Sequence, residues 1–95
     1  NDKTESFNKN YKAKYGVAPS AYEACDYDAV MMINEAAVSE KAKTSVDVAN
    51  GLAKIKNFKG VTGTITVNKY HDPVKSAYLV KLENGKEVSA EIINP

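Results

Sequence analysis

Between Phe58 and Val67 the chain changes its hydrophobic period. Upstream, apolar residues recur every three or four positions, the repeat of helices; downstream they alternate, the repeat of strands. The change falls around two glycines, in Phe58-Lys59-Gly60-Val61-Thr62-Gly63-Thr64-Ile65-Thr66-Val67. A chain that collects its helices first and its strands afterwards reads as α+β rather than as alternating βα units. The joint is either an ordinary loop or a passage from one structural body to another.

Three helices are predicted upstream. Phe7, Tyr11 and Tyr15 share one face of a helix over about 5–15. Gly16 follows, where helices commonly end in a left-handed residue, and Pro19 prevents resumption. Ser20-Ala21-Tyr22-Glu23 is a capping box that opens a second helix, reaching about Lys41. Its apolar stripe is Tyr22, Cys25, Ala29, Met32, Ile33 and Ala36. A third helix starts near Thr44 or Ser45 with stripe Val48, Leu52 and Ile55; Gly51 weakens it by on the order of 1 kcal/mol.

Downstream, Thr64–Val67 is rich in β-branched residues and reads as a strand. Residues 68–73 read as loop. Ala77–Glu83 alternates, Asn84-Gly85 is the strongest short hairpin signal, and Lys86–Ile92 is the returning strand. The chain alone is therefore three helices followed by a strand and a β-hairpin. One hairpin is too little sheet for three apolar helix stripes, which points to missing strands.

Chemistry is sparse. Thirteen basic against 12 acidic residues give a net charge of +1, without the basic excess of a nucleic-acid binder. No run approaches the roughly 20 apolar residues of a membrane span. Asn1 to Ser6 is polar and does not read as a signal peptide; a first residue other than Met implies processing or a cut from something larger. His71 beside Asp72 reads as a solvated loop pair rather than half a dyad. Cys25 sits on an apolar stripe and reads as a small core hydrophobe. These two cannot assemble a metal site, and no cofactor motif is present. Asp26 and Asp28, two residues apart, point to different sides of their helix and so are not a paired acid–base device; they read as solvent contacts or as favourable charges in the first half of the helix. Nothing here supports an enzyme. Tyr22, in the first turn of its helix, can overhang a cleft and offer a ring face and a hydroxyl to a small ligand; the simpler reading is that it staples the helix to a neighbour.

Taken in order, Phe7-x-x-x-Tyr11-x-x-x-Tyr15-Gly16-x-x-Pro19, Tyr27-Asp28-Ala29-Val30, Phe58-x-Gly60-Val61-Thr62-Gly63-x-Ile65-x-Val67, Lys75-x-Ala77 and Asn84-Gly85-Lys86 form a pattern. It resembles the C-terminal part of a type I periplasmic binding protein, of the group that serves as branched-chain amino-acid (Leu/Ile/Val) receptors of ABC transporters. The resemblance covers nearly the whole chain. Asn68 departs from the aspartate frequent there, and Tyr70-His71-Asp72-Pro73 from a more glycine-rich turn. The resemblance implies an α/β parent with two lobes joined by three crossings and a ligand between them. Residues 1–59 would belong to the first lobe and 64–95 to the second. Residues 60–63 would be a crossing, with Gly60 and Gly63 as hinge residues. Of the residues present, Tyr22 best matches the position that places an aromatic at the ligand's side chain, and Tyr27 lies near the same cleft but reads first as a packing residue. The implied partners are a small amino acid and a membrane ABC permease; the implied location is extracytoplasmic, in the periplasm or on a cell-surface lipoprotein.

The alternative is an autonomous α+β interaction module that dimerises through its helix stripes. The two bodies of the first reading give a specific expectation: Ile33 and Leu52 should pack apart from Tyr78 and Val88.

Overall fold

The computed structural model describes all residues, 1–95. Three helices come first: α1 (Asp2–Tyr15), α2 (Ala21–Ser39) and α3 (Ser45–Ala53). Five strands follow: β1 (Phe58–Gly60), β2 (Gly63–Val67), β3 (Pro73–Val74), β4 (Ala77–Glu83) and β5 (Lys86–Ile93). The α+β class expected from the sequence is the class observed.

Each helix starts on a side-chain cap. Asn1 accepts from Thr4 N–H, and the capping boxes at Ser20/Glu23 and Thr44/Asp47 are both formed. Gly16 ends α1 in the left-handed region at φ 77°. The glycine that looked like a weakness in α3 has a packing reason. A Cβ on Gly51 would lie 2.8 Å from both Ala36 Cβ and Ala36 O, so its absence lets α3 approach α2 closely.

Strands β1, β2 and β3 form an antiparallel sheet in that order, with Phe58 opposite Ile65, Gly60 opposite Gly63 and Thr66 opposite Val74. This sheet lies on the helices. Met32 from α2, Ile55 after α3, and Ile65 and Val67 from β2 make the core, with Leu52 and Phe58 against it. Strand β4 pairs only with β5, around an Asn84-Gly85 turn with φ 51° and 75°, the signs of a type I′ hairpin. No residue of this hairpin is buried. The chain measures 51 × 33 × 19 Å, with a radius of gyration of 15.7 Å, against about 12 Å for a single compact body of this length. Leu52 thus packs in the helical core, while Tyr78 and Val88 lie outside it.

Residues 60–63 are the tight turn between β1 and β2, and both strands belong to the helical body. Residues 64–74 stay with the helices, because Ile65 and Val67 fill the core that Met32 and Ile55 leave open on one side. The chain leaves that body only after Val74, and hairpin pairing begins at Ala77. The change of period marks where helix gives way to strand, which is a local property. The change of body depends on where β2 finds apolar partners.

Helix α2 buries only part of the expected stripe, Met32 and Ala36, and adds Asp28. Asp28, Met32 and Ala36 face inward; Ile33 and Cys25 are exposed. Tyr27, Val30, Met31 and Val38 are exposed as well, so α2 is apolar nearly all round. A helix of that kind is normally enclosed on every side.

Candidate functional site

Two features of the helical body bear on function: an aromatic groove along α1 and α2, and a polar knot where α2 meets the β1–β2 turn.

The groove is built on helix periodicity. Phe7, Tyr11 and Tyr15 follow one another up α1, with ring centroids 5.9 and 4.5 Å apart. Tyr27 of α2 lies across from them, its ring 4.9 Å from Phe7. Met31 and Phe58 add to the apolar part of an open space of about 1440 Å³, whose lining also carries charged side chains such as Lys14, Glu23 and Glu35. Small-molecule pockets are usually about 300–1000 Å³ and largely enclosed. This one is larger and open along its length, so its shape suits a packed protein element better than a free amino acid. Partial burial, then the nearby Glu23 carboxylate and Tyr15, raise the Tyr11 phenol above its ordinary value.

Tyr22 stands apart from this groove, at the N-terminal rim of α2, and is 83% exposed. Tyr27 is 46% exposed and already stacked on Phe7. Five residues along a helix turn a side chain by roughly 140°, so the two tyrosines do not converge on one pocket within this chain. The rim beside Tyr22 is ordered by the capping box. Glu23 accepts from the Ser20 backbone N–H at 2.6 Å and from the Ser20 hydroxyl, and Tyr22 N–H donates to Ser20 Oγ. The Ser20 hydroxyl, followed by the Ser20 N–H, holds the Glu23 carboxyl below its ordinary range.

The knot centres on Asp28, which is 2% exposed. Its Oδ1 accepts from Val61 N–H at 2.7 Å. Its Oδ2 accepts from Thr62 N–H at 2.9 Å and from the Thr62 hydroxyl at 2.6 Å. Glycine at position 60 is required by this arrangement, since a Cβ there would lie 2.5 Å from Asp28 Oδ2. Gly63 has φ 121°, the left-handed side that favours glycine. Lys75 Nζ donates to Thr62 Oγ1 at 2.9 Å and lies 3.8 Å from Cys25 Sγ. The two glycines proposed as hinges are therefore the ends of a turn clamped by a carboxylate.

Asp28 was expected to face solvent or to serve helix electrostatics and is instead buried, and Thr62 and Lys75 had no expected role beyond the family pattern. The available signal was spacing: Asp28, Met32 and Ala36 step by four, so the aspartate lies on a stripe that a core would bury. His71 is exposed in a loop held by Asn68 Oδ1, which accepts from Tyr70 N–H and Asp72 N–H. No three His, Cys, Asp or Glu side chains converge to hold a metal ion.

Comparison with known proteins decides the family. The sequence profile of the family described as periplasmic binding protein matches residues 1–87. This chain belongs to the periplasmic binding protein family. Two solved structures place this member more closely. One is the branched-chain amino acid transporter substrate binding protein LivJ of Streptococcus pneumoniae, in complex with isoleucine. It is 39% identical over the whole chain, with a TM-score of 0.84. The other is the leucine binding protein LivK of Thermotoga maritima, 32% identical over the whole chain, with a TM-score of 0.82. Both belong to the branched-chain receptor group that the sequence pattern resembles. The chain spans 27% of the length of each. A search of curated proteins found no match.

Proposed function

We propose that this chain is part of an extracytoplasmic solute-binding protein that captures a branched-chain amino acid and delivers it to a membrane ABC transporter. The observation that carries this reading is the match along the whole chain, at 39% identity, to a binding protein crystallised with isoleucine. Physical features support it. Helix α2 is apolar on faces this chain leaves open, as expected of a helix surrounded by more protein. The hairpin stands outside the helical core, as expected if residues 1–74 serve one lobe and 77–95 the other. The lobe boundary first expected at 60–63 then moves to 75–76.

Capture in this reading uses hydrogen bonds and van der Waals enclosure, with no bond made or broken on the ligand, so the protein is not an enzyme. Tyr22, exposed at the rim of α2, is the residue here assigned to the ligand's side chain. Tyr27 is assigned first to packing on Phe7 and only through that to the cleft. Uptake in this reading falls to a separate membrane permease. The location is the periplasm or the outer face of a membrane, where a lipid anchor would hold the protein near that permease.

Calorimetry on the intact protein tests this. Isoleucine, leucine or valine should bind in the micromolar range, about 8 kcal/mol, while glutamate and lysine give no heat. The 95 residues alone should bind none of them. Absence of binding by the intact protein to every aliphatic amino acid refutes the assignment.

A second reading rests on the exposed Val30, Ile33 and Val38 of α2. In it, the chain is an autonomous module that self-associates through this face. Light scattering on the isolated chain separates the two. A well-folded dimer of fixed stoichiometry supports the module, whereas indefinite association supports a segment that lacks its neighbours.

A further inference from the structure

The last backbone pair of the helical body is Thr66 with Val74, and the first pair of the hairpin is Ala77 with Ile93. Only Lys75 and Ser76 lie between. Each is tied by its side chain, and the two ties run in opposite directions. Lys75 Nζ reaches back to Thr62 Oγ1 at 2.9 Å, in the body. Ser76 Oγ donates to Asn94 Oδ1 at 2.7 Å, at the end of the hairpin. Consecutive residues are thus anchored to different bodies, and rotation between the bodies is confined to the few bonds that join them.

We propose that Asp28, Thr62 and Lys75 form a latch that fixes the direction in which the chain leaves the helical body. The Thr62 hydroxyl donates its proton to Asp28 Oδ2 and accepts from the Lys75 ammonium. A hydroxyl whose proton is held by a carboxylate is a better acceptor, and both ends of this relay are charged. The carboxylate is itself immobile, because two further backbone N–H groups of the turn bind it. The latch therefore has a rigid side, made by Asp28 and the turn, and a releasable side, made by the half-buried Lys75. The hairpin shares none of the buried apolar core of the body. One charge-assisted contact at the exit can then decide its direction, as element-terminal residues do in hinge motions. Lys75 is in this sense a positioning residue, and the inference rests on the fold, independently of what the protein binds.

Limited tryptic digestion of the intact protein, with products weighed, tests the latch. The readout is the rate of cleavage after Lys75 relative to that after Lys69, which Thr62 does not touch. Thr62→Val removes the relay oxygen and should raise this ratio about three- to tenfold, the range for a charge-assisted hydrogen bond weakened by partial exposure. Thr62→Ser keeps the hydroxyl and should give the wild-type ratio. An unchanged ratio in Thr62→Val overturns the proposal. So does an equal rise at every lysine, which would make Thr62 a general stability residue, and so does a serine variant that behaves like valine.

Discussion

Replacing Asp28 by asparagine exchanges one carboxylate oxygen for an NH2 group at nearly constant volume, and the effect can be worked out bond by bond. The carboxylate accepts three hydrogen bonds, from Val61 N–H at 2.7 Å, Thr62 N–H at 2.9 Å and the Thr62 hydroxyl at 2.6 Å. An amide has one acceptor oxygen. Turned to keep both Thr62 bonds, it points its NH2 at Val61 N–H, and donor faces donor. A buried donor left without a partner costs about 1–3 kcal/mol, and turning two charged acceptor bonds into neutral ones costs about 1 kcal/mol each. Not having to bury a charge offsets part of this, leaving a net loss of about 3 kcal/mol. Against a usual total of about 5–15 kcal/mol this is large. With a urea slope of about 1–3 kcal/mol per molar, the midpoint should fall by roughly 1–3 M. Urea unfolding at neutral pH, followed by far-ultraviolet circular dichroism, measures it. A midpoint that moves by less than about 0.3 M at unchanged slope refutes the claim that this carboxylate holds the turn.

Gly60→Ala should destabilise by a comparable amount, about 2–4 kcal/mol, because the new Cβ meets a carboxylate that cannot move aside; a thermal midpoint within a degree of wild type would contradict this. Tyr22→Ala should leave stability within about 0.5 kcal/mol of wild type and weaken amino-acid binding in calorimetry. Tyr27→Ala should cost about 1–2 kcal/mol of stability through the lost Phe7 contact; equal effects of the two on stability would sink the distinction drawn between them. Glu23 and Asp47 both titrate below their ordinary values of 4.5 and 3.8, Glu23 through the Ser20 hydroxyl and Asp47 through the Lys43 and Thr44 N–H groups. Their contribution to the caps is present above those values and is lost as pH falls through the lower folded values. Carboxyl titration by nuclear magnetic resonance should give midpoints under 4.5 and 3.8, and midpoints at or above them would contradict the caps.

Local signals were legible wherever the physics is local. The Ser20/Glu23 box, Gly16 after Tyr15 and the Asn84-Gly85 turn each act within a few residues, so each could be read from neighbours alone and each is formed. The strand at 77–83 was read to the residue, because alternation and a hairpin turn fix its register together. The buried face of α2 was legible only in part: Met32 and Ala36 were read on its stripe and are buried, whereas Cys25, Ala29 and Ile33 were read there and are exposed. Ala, Val, Met, Ile and Tyr surround that helix, so several stripes fit a period of 3.6 equally well. The burial of Asp28 could not be read for a different reason: the turn that buries its side chain lies more than thirty residues away in sequence.

The sequence by itself determined the order of elements, their caps and turns, and through its ordered motifs the family. Those follow from backbone propensity and from hydrogen bonds between close neighbours. Only the tertiary structure decided that both sides of the Gly60–Gly63 turn belong to one body. That choice is made by Ile65 and Val67 finding Met32 and Ile55, and by one aspartate capping a distant turn. Such contacts depend on apolar surface and unpaired N–H groups brought together from far apart along the chain, and no local pattern records them.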